Sequence, residues 1–437
     1  MLSNAMFYRF VCATDANYSL NNRLAVLLIT VIAVSCFDLL TLEFATAELE
    51  DLDLSNHAAD TSSGTMFNQV FWLSLFGLSG FMVLRNPVQF RKLLFAQTPL
   101  VVLAVLALAS ATWALAPDIA GRRAILQIIV IFSVFVGVCY LKTPYQAPLI
   151  FYRVATAALA MNLLAIGLGC FDKDGYFYGI HGHKNILGAT ALIALFLGVA
   201  VRHLYAHQIY RSLNNAYLLI WLMLLVISMS KTSMGLCVLV PSLVIGSQLV
   251  ARTFNVNLGI LLLFMMTVIA LGVVIVMSMH DLHLQGFAGL FLADASFTGR
   301  DYIWAFLLEQ IDQRWLLGHG YGSFWGIGLD SPNIRHGRGF LTLLNQGHNG
   351  YLDLLAILGW VGMACYLWVL QQFASQSGRI RRTQPALFSL CWMLLVLTLL
   401  HNVTESSILR GYSALWVIQL IVFALVARAA IEKEEPQ

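Results

Sequence analysis

The chain has 437 residues, of which 59% are hydrophobic and only 11% charged, with a formal net charge of +3. A soluble domain carries roughly 25% charged residues, so the composition excludes one and implies an integral membrane protein. The small net charge gives no argument for a nucleic-acid partner.

A helix needs about 20 apolar residues to cross the hydrocarbon layer. Twelve candidate spans follow in chain order: 24–42, 67–84, 93–115, 124–141, 149–170, 185–201, 214–230, 233–250, 258–279, 349–370, 385–401 and 411–429. The first follows a polar stretch with Arg9 and Arg23 and reads as an uncleaved span, with no cleavable signal peptide evident. The stretch 214–250 is too long for one crossing. Its polar break, Ser228-Met229-Ser230-Lys231-Thr232-Ser233, predicts a tight helical hairpin. The expected fold is all-α and polytopic: about 12 transmembrane helices in one domain over 1–437, with one large loop, 280–348, between helices 9 and 10. The seven cysteines include no CxxC pair and read as small buried hydrophobes.

Loop charge orients these spans. Loops with Arg85, Arg91 and Lys92, with Arg202 and Arg211, and with Arg379, Arg381 and Arg382 share one side, taken as cytoplasmic with both termini. The acidic loop 43–65 and the loop 280–348 fall on the other side, the periplasm of a Gram-negative cell. Ten of the 25 Lys and Arg then lie outside as well: Arg122, Arg123, Lys173, Lys184, Lys231, Arg300, Arg314, Arg335, Arg338 and Arg410. Positive charge normally stays cytoplasmic. An outer face this basic points to an anionic substrate, for which a lipid-linked pyrophosphate is a candidate.

The long loop is rich in Trp, Phe, Leu and Gly, unlike a disordered segment. Thr298-Gly299-Arg300-Asp301 reads as a helix start with Thr298 as N-cap. Ile303, Leu307, Ile311 and Trp315 recur at helical spacing, predicting a short amphipathic helix over 300–315 that suits the membrane surface. Gly318, Gly320, Gly322, Gly326 and Gly328 follow, interleaved with Tyr321, Phe324 and Trp325. Such a stretch can bring backbone N–H groups to phosphate and flat rings to sugars. It serves sharp turns equally well.

The run from His348-Asn349 to Gly359 and Gly362 fits the pattern H-[NSQ]-x9-G-x-x-G. It resembles the signature of the O-antigen ligase superfamily, which includes O-antigen ligases, Wzy-type polymerases and bacterial O-linked oligosaccharyltransferases. Four further stretches resemble the exopolysaccharide-polymerase (ExoQ-like) branch. They are His183-Lys184-Asn185-Ile186-Leu187-Gly188, Ser230-Lys231-Thr232-Ser233, Thr298-Gly299-Arg300 with Gly318–Trp325, and Asn402-Val403-Thr404-Glu405-Ser406. The resemblance covers roughly residues 110–415. Lys231 departs from it, since many relatives carry Arg there, and Lys lacks the planar fork of a guanidinium.

The resemblance implies a metal-independent inverting glycosyltransferase that moves a glycan from undecaprenyl pyrophosphate to a sugar hydroxyl. Such an enzyme needs a base for the hydroxyl and cations for the departing pyrophosphate. His348 suits the base, since imidazole accepts a proton at working pH; the alternative is a structural histidine capping a helix. Arg300 suits the pyrophosphate. A cation in the first turn of a helix is unfavourable unless an anion lies nearby, and the alternative is contact with a lipid headgroup. Lys184, Lys231, Arg122 and Arg123 would reach the donor from other helix ends, or else snorkel to headgroups. Arg338, with Arg335, would face acceptor glycan or donor. Glu405 would bind sugar hydroxyls, orient a cation, or pair structurally with Arg410. Asn349 and Tyr321 complete the expected substrate-binding set.

No cofactor is expected. His181 and His183 with Asp172 and Asp174 suggest a metal, but the glycine-rich setting and the lack of a helical His-x3-His spacing argue against one. The expected partners are the undecaprenyl-pyrophosphate-linked oligosaccharide, an acceptor glycan, membrane lipids, a flippase and a chain-length regulator, at a bacterial inner membrane. The leading reading is a polymerase of exopolysaccharide repeat units. The alternatives are a ligase acting on lipid A core and, in another class, a transporter of lipid-linked oligosaccharide. Transporters place ionisable groups near the midplane, whereas the spans here hold few charges, Asp38 being the main exception.

Overall fold

The computed structural model describes residues 20–40, 66–171, 176–202, 208–254 and 300–434, with residues 256 and 259. Among these residues the regular structure is helical, apart from one isolated bridge between Ile327 and Leu329. The helices are α1 (Leu20–Cys36), α2 (Met66–Arg85), α3 (Pro87–Ala96), α4 (Thr98–Ala109), α5 (Pro117–Tyr140), α6 (Gln146–Gly167) and α7 (Lys184–Arg202). They continue with α8 (Gln208–Ile227), α9 (Lys231–Thr253), α10 (Arg300–Gln313), α11 (Pro332–Arg335), α12 (Gly350–Ile380), α13 (Pro385–His401) and α14 (Ala414–Glu434).

The chain is an all-α, multi-pass membrane protein. Eight helices are long and apolar enough to cross a membrane: α2, α5, α6, α7, α8, α9, α12 and α14. The bent pair α3–α4 makes a ninth if counted as one span. Helices α1 and α13 are apolar but shorter, at 17 residues each. The expected span 258–279 lies outside the described residues, as does the acidic loop 43–65. The count among the described residues is therefore eight or nine, against the twelve expected.

One expected span departs in shape. The stretch 93–115 turns by 84° between α3 and α4. Pro99 sits at the start of α4 and cannot continue a helix from upstream. The bend is stabilised by buried amides. The Gln97 Nε2 donates to Gln376 Oε1 at 2.8 Å, and Gln376 Nε2 donates to the Ala96 carbonyl at 2.7 Å. The hairpin expected within 214–250 is present: α8 ends at Ile227, Met229 takes a left-handed φ of 52°, and α9 starts at Lys231.

Helix α14 is apolar on every side and sits at the centre, with 89% of its most apolar window buried, against 22% for α2 at the edge. Helix α5 packs against α1, α2 and α14. Helix α12 packs against α4, α10 and α14. Helices α7 and α8 form an antiparallel hairpin.

Helix α12 is broken at Gly359, whose φ of 61° and ψ of −164° are open only to glycine. The segment after α10 closes this break. Trp360 and Val361 donate their N–H groups to the carbonyls of Trp315 and Leu316, at 2.9 and 3.2 Å. In return His319 and Gly320 donate to Ala356 and Ile357, both at 2.9 Å. Trp360 N–H, Val361 N–H and the carbonyls of Ala356 and Ile357 thus find partners across the kink, as backbone groups inside a bilayer require. A Cβ on Gly359 would stand 2.3 Å from the Leu316 carbonyl oxygen.

The amphipathic helix expected over 300–315 runs from Arg300 to Gln313, and Thr298 lies outside the described residues. Ile303, Phe306, Leu307 and Ile311 are buried, and the helix packs on α12. Its apolar face is therefore turned to protein and not to the membrane surface. Trp315, expected in the same stripe, lies past the helix end and is exposed.

Candidate active site

His348 precedes α12 and holds a left-handed φ of 47°, which is uncommon for a residue with a Cβ. Its backbone is clamped from both sides. The Gly347 N–H donates to both carboxylate oxygens of Asp353, at 3.1 and 3.0 Å, and the Gly347 carbonyl accepts from Trp304 Nε1 at 3.1 Å. Asp353 also accepts from Trp325 Nε1 at 2.8 Å. Behind His348, Asn349 caps the helix: its side-chain oxygen accepts from the N–H groups of Tyr351 and Leu352, each at 3.1 Å.

The loop after α13 docks onto this helix start. Gly350 N–H donates to the carbonyls of Asn402 and Glu405, at 2.8 and 3.1 Å, and Asn349 N–H donates to Ser406 Oγ at 3.1 Å. Fully buried Asn402 orders the loop from within, since its Oδ1 accepts from the N–H groups of Ser407 and Ile408 at 2.8 and 3.2 Å. Gly350 leaves room for it; a Cβ there would stand 2.1 Å from Asn402 Oδ1.

These contacts deliver Glu405 to the centre of a polar cluster. Its Oε2 lies 3.1 Å from His348 Nδ1. Its Oε1 accepts from Arg300 Nη2 at 3.1 Å and from Asn185 Nδ2 at 2.9 Å. Asn185 in turn accepts from Ser230 Oγ at 3.1 Å, and Ser230 reaches Ser233 Oγ at the same distance. Five segments thus converge: the starts of α7, α9 and α10, the loop before α12 and the loop after α13. Burial pushes the Glu405 pKa up, but the hydrogen bond from His348 and the charges of His348, Arg300 and His401 outweigh it and hold the carboxyl below its usual range.

An ionised carboxylate only accepts, so His348 carries its proton on Nδ1 and leaves the Nε2 lone pair to act as a base. The imidazole is 28% exposed, and Arg300 and Glu405 are 18% and 17% exposed, so the cluster is recessed yet reachable. The anion that a cation in the first turn of α10 requires is Glu405 itself.

The family model for O-antigen ligase, Wzy_C, matches residues 216–367. This stretch is an O-antigen ligase domain. No curated protein matches the chain. The domain contributes Lys231, Arg300, Tyr321, Arg338, His348 and Asn349 to the expected set. Glu405 and Lys184 lie outside it, as do Arg122 and Arg123. The match covers less than half of the chain, and the similarity to O-antigen ligases is that of this stretch.

Not all the expected residues meet at the cluster around Glu405. Lys184 and Lys231 are adjacent in sequence to Asn185 and Ser230, and Lys184 Nζ lies 4.3 Å from the Tyr176 ring centre. Arg123 turns instead to the glycine-rich stretch. Its guanidinium donates to the carbonyls of Gly322, Trp325 and Gly326. Tyr321 is buried, and its hydroxyl donates to the Leu409 carbonyl at 2.7 Å and lies 3.0 Å from Gln127 Oε1. Asn349 is engaged as the helix cap. The glycines of this stretch serve close packing: a Cβ on Gly318 or Gly320 would stand within 2.5 Å of Ile357 or Ala114. Arg122 is exposed, with a 3.4 Å contact to the Asp118 carbonyl. Arg338 is exposed beside α11, where Arg335 pairs with Asp330.

Glu405 does not pair directly with Arg410, whose guanidinium reaches Gln346 Oε1 and the Ser406 carbonyl. His181 forms a 2.7 Å pair with Asp38, and His183 Nδ1 accepts from Asn185 N–H at 3.1 Å. Asp172, Lys173 and Asp174 lie outside the described residues. Sequence reasoning missed Asn185 and Asp353 as site residues. Asn185 stood inside a quoted motif but drew no attention beside its charged neighbour. The signal for Asp353 was an acidic residue one turn into a helix that begins with a candidate base.

Proposed function

We propose that the protein transfers a glycan from undecaprenyl pyrophosphate to a sugar hydroxyl at the periplasmic face of a bacterial inner membrane, polymerising exopolysaccharide repeat units. The observation that carries this reading is the Glu405 carboxylate held between His348 and Arg300. It orients a base and a cation toward one recess. The acceptor hydroxyl gives its proton to His348 Nε2, and its oxygen forms a bond to the anomeric carbon of the donor. The bond from that carbon to the pyrophosphate oxygen breaks, and the pyrophosphate leaves with the electron pair. Glu405 stabilises the imidazolium so formed. The remaining N–H donors of Arg300, with Lys184 and Lys231, receive the negative charge on the pyrophosphate. The single displacement inverts the anomeric centre and uses no metal.

The ligase reading has its own support in the family description, O-antigen ligase. Purified protein reconstituted with lipid-linked oligosaccharide separates the two. A ladder of extended lipid-linked chains supports polymerisation. Transfer only when lipid A core is supplied replaces it with ligation. Absence of transfer in both arms, with a folded protein, overturns the glycosyltransferase mechanism.

A further inference from the structure

The polar break between α8 and α9 carries three serines, and the transfer mechanism above gives their hydroxyls no part. Ser228 donates to the Leu225 carbonyl at 2.7 Å, an ordinary contact at a helix end. Ser230 behaves differently. It stands at the N-cap of α9, where a serine oxygen usually accepts from an N–H of the first turn. Its side chain makes no such bond. The hydroxyl is buried and turns across to α7, 3.1 Å from Asn185 Oδ1 and 3.1 Å from Ser233 Oγ. A cap is given up for a contact between helices.

The direction of each proton in this contact is fixed from its far end. Glu405 is ionised and only accepts. Asn185 therefore presents Nδ2 to Glu405 Oε1, at 2.9 Å, which turns its Oδ1 to Ser230. Ser230 has one O–H proton and gives it to that Oδ1. Ser233 then donates to Ser230 Oγ. Three donors run one way, from Ser233 through Ser230 and Asn185 to Glu405, and hydrogen bonds aligned in a buried chain strengthen one another.

The chain of donors is built into the packing of α7 on α9. Ser233 is fully buried, and Gly188, three residues after Asn185, lets the two helices approach. A Cβ on Gly188 would stand 2.5 Å from Ser233 Oγ and 2.8 Å from Ser230 Cβ. Asn185 is held by its backbone as well, since its N–H donates to His183 Nδ1 at 3.1 Å.

Arg300 gives Glu405 a use for this second donor. A guanidinium fork can take both oxygens of a carboxylate, and that pose would draw Oε2 away from His348. Asn185 shares Oε1 with Arg300 and leaves Oε2 to the imidazole. We propose that Ser233, Ser230 and Asn185 form an oriented chain of donors that positions Glu405 for His348, with Asn185 and Ser230 as positioning residues of the transfer reaction. The inference rests on the transfer mechanism proposed above.

The test uses the full chain reconstituted with lipid-linked oligosaccharide. Asn185→Ala is expected to lower kcat about 10-fold and Ser230→Ala about threefold, the sizes of a charged and a neutral hydrogen bond, with donor and acceptor KM unchanged. The double variant is expected to be no slower than Asn185→Ala alone, because Ser230 acts through Asn185. Ser242→Ala, whose hydroxyl bonds the Val238 carbonyl of its own helix, is expected to keep the wild-type kcat. A folded Asn185→Ala with wild-type kcat, or a full added loss from Ser230→Ala in the double variant, overturns the chain of donors. A second arm needs no activity. The denaturant midpoints of Asn185→Ala, Glu405→Ala and their combination are expected to be non-additive, the combination losing less than the sum. Additive midpoints overturn the positioning of Glu405. Coupled midpoints in a wild-type protein that transfers no glycan leave the positioning in place and overturn the transfer reading instead. Should Asn185→Ala fail to fold, Ser230→Ala takes its place in the cycle with Glu405→Ala.

Discussion

Glu405 holds Nδ1 of His348 at 3.1 Å, across 57 residues of chain. The contact fixes both the tautomer and the direction of the imidazole, and leaves its other nitrogen toward the recess. Replacing Glu405 with Gln keeps the size but removes the charge that stabilises the imidazolium. In reconstituted transfer assays Glu405→Gln is expected to lower kcat about 100-fold, within the usual range for acid–base help, with a smaller change in the acceptor KM. Wild-type kcat in a folded variant would rule out the pairing as a catalytic device.

Neighbouring arginines 122 and 123 should behave differently. Arg123 supplies three hydrogen bonds to the carbonyls of Gly322, Trp325 and Gly326. Hydrogen bonds to charged groups contribute about 1.5–3 kcal/mol each, and neighbouring ones do not add. Arg123→Ala is expected to cost about 2–4 kcal/mol of stability and to loosen the segment that braces α12. Arg122→Ala should stay within about 0.5 kcal/mol, as exposed substitutions usually do. Unfolding midpoints of the two variants measure this, and a matched pair of values would contradict the anchoring role.

Gly359→Ala attacks the kink in α12. The new Cβ would meet the Leu316 carbonyl oxygen at 2.3 Å, on a backbone with φ of 61°. Strain of this kind costs on the order of 1–3 kcal/mol, to which the clash with backbone adds. Lower expression of folded protein and faster proteolysis within 314–328 are expected. Gly378→Ala, where a Cβ meets nothing within 4 Å in the same helix, serves as the control. Indistinguishable midpoints for the two would show that the break tolerates a side chain.

Acid should reveal the state of Glu405. Its folded pKa is lowered, with the opposing burial outweighed by the His348 hydrogen bond and the neighbouring cations. A lowered carboxyl pKa contributes stability that is fully present above the unfolded pKa, about 4.3 for Glu, and is lost as pH falls through the folded value. The stability difference between wild type and Glu405→Gln is thus expected to persist from pH 7 down to about 4.3 and to shrink below it. Denaturant titrations across that range test it; a difference already gone by about pH 6 would mean that the folded pKa is raised.

Much of this was legible in the chain. Low charge density and long apolar runs dictate a helical membrane protein, because only helices satisfy their own backbone groups within one apolar segment. The serine- and lysine-bearing break at 228–233 marks the α8–α9 hairpin for the same reason. The resemblance of their motifs, more than residue type alone, brought forward His348, Arg300 and Glu405 as a base, a fork of donors and an anion.

Which of these groups touch was decided by tertiary structure alone. Sequence left open whether Glu405 binds sugar hydroxyls, orients a cation or pairs with Arg410, whereas docking of the 402–406 loop on the start of α12 gives it to His348 and Arg300. Two adjacent arginines looked alike until the glycine-rich segment offered its carbonyls to only one of them. The stretch 93–115 satisfied an apolar count yet turned by 84°, because a count carries no information on where a proline meets a buried glutamine. Apolar patterning reports a transfer free energy residue by residue. The pairing of polar groups depends on distances between segments far apart in the chain, which packing alone sets.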